Sequence, residues 1–390
     1  MSPEQESADT HVETEQRVTP LELFFDLVFV LSFTQVTALM AADPSWETVG
    51  QGMLILAALW WAWAAYAWLT NALDPEQEGT RLAVLAAMAA MLVVALAVPQ
   101  AFGDDAILFG CAYFLVRALH LLVYELAARS RGDEELHTNV HLMAPGALAG
   151  PALIILAGFF DGSTQGAIWV AALAIDYTSP LRAGPGGWGL SPHHFAERHG
   201  LVIIIALGES IVAIGAGAAG IDIGAGEVAA AILGIAATAA LWWIYFDVVA
   251  IVSEQRLAEA QGAEREALAR DSYSYLHLPL LAGIVLFSLG LKTTLAHVSD
   301  PLDTVPAVAL SGGVAIYLLG HIGLRLRAVR TLNIQRTLTV AACMGLIPLS
   351  LSVSALVGLG ALTGLLALLI TYETINYGDA RTRLRASVTA

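Results

Sequence analysis

Cysteine is nearly absent. Cys111 and Cys343 are the two in 390 residues, and each lies inside an apolar run, which excludes a disulfide framework and a cysteine-based zinc cluster. Charge is almost as scarce: Asp, Glu, Lys and Arg make up 13% of the chain, against about a quarter in an ordinary soluble domain. The formal net charge of -16 comes from acids in the N-terminal stretch and in the connections between apolar runs, so nucleic acid is excluded as a partner. What the chain has in excess is apolar residues, 57% of the total, with a mean hydropathy of +0.69. That composition implies an all-α, polytopic membrane protein whose first partner is the lipid bilayer.

Apolar runs fall at about 20–41, 47–72, 81–102, 105–128, 138–160, 164–180, 196–219, 225–252, 272–297, 304–327, 334–356 and 358–378, giving about twelve expected transmembrane helices. Residues 1–18 are acid-rich and lack an apolar core, so a disordered tail is expected there rather than a signal peptide. All but two of the eighteen basic residues lie in the N-tail, the even-numbered connections and the basic C-tail, 379–390. Positive residues concentrate on the cytoplasmic side, so an even number of spans with both termini cytoplasmic follows, in a multi-pass cell-membrane protein. The exceptions, Arg117 and Lys292, lie inside spans. The opposite face carries Asp43, Glu47, Asp104, Asp105, Asp161, Asp222, Glu227, Asp300 and Asp303.

The halves repeat one another. Asp26-Leu-Val-Phe-Val-Leu-Ser-Phe-Thr-Gln35 aligns with Gly200-Leu-Val-Ile-Ile-Ile-Ala-Leu-Gly-Glu209, and Ala58-Leu-Trp-Trp61 with Ala240-Leu-Trp-Trp243. Tyr113 to Arg117 aligns with Tyr317 to His321; Pro151 and Asp176 meet Pro348 and Glu373 at one constant offset. Six helices per repeat is an even number, which predicts two parallel six-helix repeats, 19–180 and 196–378, joined by a cytoplasmic linker at 181–195 and related by an axis along the membrane normal.

Ionisable residues inside apolar spans are the candidate functional groups, because a charge left in hydrocarbon is costly and has to pair or line a wet cavity. Glu209 stands about 18 Å of helical rise beyond Glu197, near the middle of a bilayer about 30 Å thick. Glu22 and Asp26 are one turn apart on the first helix, where close carboxylates favour a shared proton or a bound cation. His193, His194, Glu197, Arg198 and His199 form the densest polar cluster. Pairing of that cluster with the acids of the first helix is expected, since the repeat makes the two entrances equivalent. Further candidates are Arg117, His120 and Glu125 in the fourth helix, Asp176 in the sixth, Asp247 in the eighth, His277 in the ninth, His321 in the tenth and Glu373 in the twelfth. His193 and Glu197 have the four-residue spacing of shared ligands, but the arrangement is not HExxH, so no metal is assigned. Gly215-Ala-Gly-Ala-Ala-Gly220 formally matches GxGxxG but ends a membrane helix and follows no strand, so no cofactor is expected. No hydrolase triad or phosphate loop points to an enzyme.

LELFFDLVFVLSFTQV, HFAERHGLVIIIALGES and SYLHLPLLAGIV together resemble the low temperature requirement protein A (LtrA) family of bacterial membrane proteins, over about residues 18 to 378. The resemblance implies a multi-spanning cell-membrane protein linked to growth at low temperature, without an assigned activity, and rests on Glu22, Phe24, Phe25, Asp26, Glu197, Arg198, His199, Gly208, Glu209, Ser210, His277 and Pro279. The reading that follows is a secondary-transporter-like or channel-like protein moving a small solute with proton or cation coupling. Glu209 is the expected coupling carboxylate, with Asp26, Arg198 and Arg117 as candidate partners. The alternative is a non-transporting membrane sensor or structural stress factor in which the polar network fixes helix packing.

Overall fold

The first helix begins where Thr19 and Glu22 cap each other. The Thr19 amide donates to Glu22 Oε2 at 2.9 Å and the Glu22 amide donates to Thr19 Oγ1 at 3.3 Å, a reciprocal arrangement that satisfies two of the donors a helix start leaves open. Pro20 then sets the first helical φ. The computed structural model describes residues 17–184 and 188–389, with side chains through 378, so most of the expected disordered tail, 1–16, and part of the linker, 185–187, lie outside the described residues.

Helices follow with short connections and no strand among the described residues. They are α1 Pro20–Ala42, α2 Trp46–Ala72, α3 Glu78–Gln100, α4 Ala106–Arg131, α5 Glu134–Ala157, α6 Gly162–Thr178, α7 Pro192–Gly217, α8 Ala225–Glu259, α9 Gly262–Ala296, α10 Thr304–Val329, α11 Ile334–Ser350 and α12 Ala355–Thr389. Ten of them are long and apolar enough to cross a membrane; α6 and α11, at 17 residues each, fall short of that length. Large apolar side chains such as Leu82, Leu96, Leu122, Leu126, Ile232, Leu319 and Leu368 lie exposed on the outer surface, the pattern of a body solvated by lipid.

Several helix ends depart from the apolar runs, among them that of α12, which continues past 378 to Thr389 through the expected C-tail. α8 continues past 252 to Glu259 through a π-helical turn at Tyr245–Val249, and α9 starts ten residues before the run at 272, with a second π-helical segment at Ala269–Tyr275. Both extensions are polar, SEQRLAE and GAEREAL; hydropathy marks only the apolar part of a helix, whereas the backbone continues for as long as its hydrogen bonds are satisfied. α11 ends at Ser350, before the expected 356, in a turn that carries Pro348.

Close helix packing depends on glycine. A Cβ on Gly290 would stand 2.5 Å from the Leu310 backbone, and one on Gly313 would stand 2.5 Å from the Phe287 nitrogen, so α9 and α10 touch backbone to backbone. Small residues that permit such approach are what drives helices together in lipid, where apolar burial contributes little. α1 lies against α2, α3, α7 and α9, which places both acids of its first two turns in the interior.

Candidate functional site

Arg198 joins α1 to α7. Glu22 and Asp26 stack one turn apart on α1, and His194 and Arg198 do the same on α7. Arg198 donates through Nη1 to Glu22 Oε1 at 2.7 Å and to Thr70 Oγ1 at 3.1 Å, and through Nη2 to Asp26 Oδ1 at 2.8 Å. Its guanidinium carbon lies 5.5 Å from the Trp63 ring centroid, and Trp63 Nε1 donates to Asp26 Oδ1 at 2.8 Å. All four ionisable residues are buried.

The hydrogen-bond network also assigns the histidine. The Asn71 amide is oriented by Ser191, whose N–H donates to Asn71 Oδ1 at 2.7 Å and whose carbonyl accepts from Nδ2 at 3.1 Å. Nδ2 therefore donates to His194 Nδ1 at 2.9 Å, which leaves the proton on Nε2 to be donated to Glu22 Oε2 at 3.1 Å. With His194 neutral, the cluster holds two carboxylates against one cation and becomes neutral only by taking up one proton. Both Glu22 oxygens have donors, whereas Asp26 Oδ2 has no partner among the described residues.

Further ion pairs tie other helices, Arg327 of α10 to Asp271 of α9 among them. Arg117 of α4 donates to Asp176 of α6 at 2.7 Å, and Arg336 of α11 makes a forked contact with Glu373 of α12 at 2.9 and 3.0 Å. Arg117 also borders a cavity of about 410 Å³ between α2, α4, the segment after α6 and the start of α9. Its walls are aromatic, with Trp61 and Trp68 from α2, Tyr124 from α4 and Trp188 from the segment between α6 and α7. Polar groups converge beside them. Arg117 Nε and Nη1 and the Tyr124 hydroxyl have no partners among the described residues, and His120 approaches the Ala65 carbonyl without a well-formed hydrogen bond. An aromatic body with a few polar groups is the make-up of a small-molecule site, and buried polar atoms left open are the ones a ligand or water would satisfy. The tryptophans carry this cavity and were not among the sequence candidates; the available signal was the WWAWAAYAW run at 60–68, of which only Trp60 and Trp61 entered the reading, as part of a repeat anchor.

The remaining candidates divide. Glu209 is buried and accepts from Thr34 Oγ1 of α1 at 2.5 Å, with Lys292 of α9 as the charge within electrostatic reach. Arg198 and Arg117 are not its hydrogen-bond partners: Arg198 stands eleven residues back on the same helix, about 16 Å of rise, and bonds Glu22 and Asp26, while Arg117 on α4 bonds Asp176. The partner comes from the first helix, as Thr34 rather than Asp26. His199 and His277 sit in a packed layer with Trp60, Trp63 and Tyr273. His277 Nδ1 donates to the Ser272 carbonyl and its Nε2 accepts from the Tyr245 hydroxyl, both at 2.8 Å, the pattern of a neutral ring. His321 packs edge-on against Tyr317. Asp247 is buried in the π-helical turn of α8. Glu197 is exposed and accepts from the Val18 amide, and His193 pairs with Glu254.

Comparison with known proteins gives two likenesses. The family described as bacterial low temperature requirement A protein (LtrA) matches residues 17–371. An uncharacterized protein of Rhizobium meliloti (strain 1021) is 29% identical over 363 residues, covering 90% of this chain and 87% of the relative. No solved structure matches.

Proposed function

The chain belongs to the bacterial low temperature requirement A family, and from that premise we propose that it is a secondary-transporter-like protein of the cell membrane, moving a small solute with proton coupling. The observation that carries this reading is the cavity of about 410 Å³, whose aromatic walls meet the Arg117–Asp176 pair and the open polar atoms of Tyr124. Such a volume suits a small organic molecule, and the polar groups would orient it. No bond-making step is assigned.

The architecture we propose is twelve spans in two parallel six-helix repeats with both termini cytoplasmic. Recurrence of the helix pairings supports it. α1 packs on α2 and α3 as α7 packs on α8 and α9; α3 packs on α4, and α4 on α5, as α9 packs on α10 and α10 on α11. The α5–α6 and α2–α6 pairings recur as α11–α12 and α8–α12. The acid of the sixth helix in each half, Asp176 and Glu373, is held by an arginine, although that arginine comes from α4 in one half and from α11 in the other. With basic connections inward, the cavity would open to the cytoplasm, because the C-terminal half of α2, Pro180, Leu181, Ala183, Gly184 and Trp188 line it.

Coupling then falls to the contact between the two halves. α1 and α7 are equivalent helices, and their interface holds the Glu22–Arg198–Asp26 cluster, one cation short, and Glu209 on Thr34. Proton uptake there changes the net charge of a buried interface, where charge interactions are stronger than in water, and so biases how the halves sit together. The test uses proteoliposomes containing a trapped pH-reporting dye, challenged with a panel of small aromatic, amine and carboxylate solutes. At least one solute should move protons and quench tryptophan fluorescence, and Glu209→Gln should abolish the proton movement while the quenching remains. If no solute does either, the transport reading fails and the clusters act as packing devices in a sensor or structural stress protein.

A further inference from the structure

The α4–α5 hairpin places two histidines and a carboxylate around one point. α4 ends at Arg131 on Gly132, whose φ of 64° is left-handed, and Asp133 at once caps α5 by accepting from the Leu136 amide at 2.9 Å. This short connection holds the last turns of α4 against the first turns of α5. His137 and His141 are one turn apart on α5 and share a face, and Glu125 of α4 stands opposite them. Its Oε2 lies 3.1 Å from His137 Nδ1 and 3.5 Å from His141 Nε2, and the three atoms all lie within 4.8 Å of one another.

We propose that Glu125, His137 and His141 form a binding site for a divalent transition metal ion, with zinc the best match. Two imidazoles and one carboxylate are a donor set that zinc accepts in sites that keep an open fourth position. Metal–ligand distances of about 2.0–2.2 Å in a tetrahedron separate neighbouring ligand atoms by about 3.4 Å, close to the 3.1 and 3.5 Å found. The longest edge closes by rotation of His141, the most exposed of the three at 60%. Glu125 is also pre-oriented. Arg129 Nε donates to its Oε1 at 2.5 Å, leaving Oε2 for the histidines, as outer partners of ligating carboxylates commonly do. A fourth position is left open beside the exposed His141 and would hold water. Occupied, the site would clamp α4 to α5 next to Tyr124, so it would fix the helix that brings Arg117 and His120 to the cavity.

The proposal is independent of transport and is tested without it. Tag-free protein in detergent is titrated with Co²⁺, followed by its visible absorption, and with Zn²⁺ by calorimetry. One equivalent should bind with a dissociation constant on the order of micromolar, and Zn²⁺ should raise the unfolding temperature. His141→Ala, at an exposed position, should keep the elution profile of the wild type and weaken binding by at least about tenfold, and the His137→Ala/His141→Ala pair should abolish both binding and the thermal shift. No binding below about 1 mM, or one equivalent bound unchanged by the paired variant, would overturn the assignment.

Discussion

Removing the arginine between α1 and α7, as in Arg198→Met, leaves Glu22 and Asp26 one turn apart in a buried interface with no cation between them. Two hydrogen bonds to carboxylates, at 2.7 and 2.8 Å, and one to Thr70 disappear together. Breaking a buried pair by removing one partner costs about 3–5 kcal/mol, on the order of a hundred- to several-thousand-fold in the folding equilibrium. Asp26→Asn acts differently. It leaves Arg198 matched one to one with Glu22, and the amide oxygen can still accept from Trp63 Nε1, so the expected cost is about 1 kcal/mol. Arg198→Lys should fall between the two, since an ammonium lacks the fork that reaches both acids at once. The assay is reversible unfolding of the purified protein in mixed micelles by SDS titration, read by tryptophan fluorescence. On a Glu22→Gln/Asp26→Asn background the arginine has no acid to compensate, so most of the penalty of Arg198→Met should vanish, which a double-mutant comparison measures directly. If Arg198→Met costs no more than Asp26→Asn, the count of two acids against one cation is not what governs this interface.

Two other expectations concern packing and orientation. Gly290→Val places side-chain atoms where the Leu310 backbone already stands and should cost about 1–3 kcal/mol or more by separating α9 from α10, whereas Gly208→Ala, with nothing within 4 Å of the new Cβ, should be neutral or slightly stabilising; equal effects on detergent melting temperature would refute the close-approach argument. In a background with Cys111 and Cys343 replaced by serine, single cysteines in the 103–105 and 300–303 connections should react with an impermeant maleimide added outside intact cells, and labelling only after permeabilisation would reverse the proposed topology.

The sequence by itself determined the class of protein and the places of its helices, because hydrocarbon solvates only backbone whose hydrogen bonds are closed within a helix and because apolar length is readable residue by residue. It also determined that Glu209, Arg117 and Asp26 needed partners, since the cost of an unpaired charge in such a span does not depend on which neighbour relieves it. The link between the first-helix acids and the Arg198 cluster was expected from the alignment of Asp26 with Gly200, and Arg198 meets both acids. The individual partners were not legible. Glu22 meets Arg198 across 176 residues and Thr34 meets Glu209 across 175, and chain order says nothing about which helices become lateral neighbours in a bundle. Only the packed structure decided that Glu209 would take a threonine and leave Arg198 to Glu22 and Asp26, that four aromatic side chains from three segments would enclose one cavity, and that a hairpin closed by Gly132 would set His137 and His141 over Glu125. Each of these depends on side-chain direction and helix rotation, which packing fixes and periodicity along the chain leaves open.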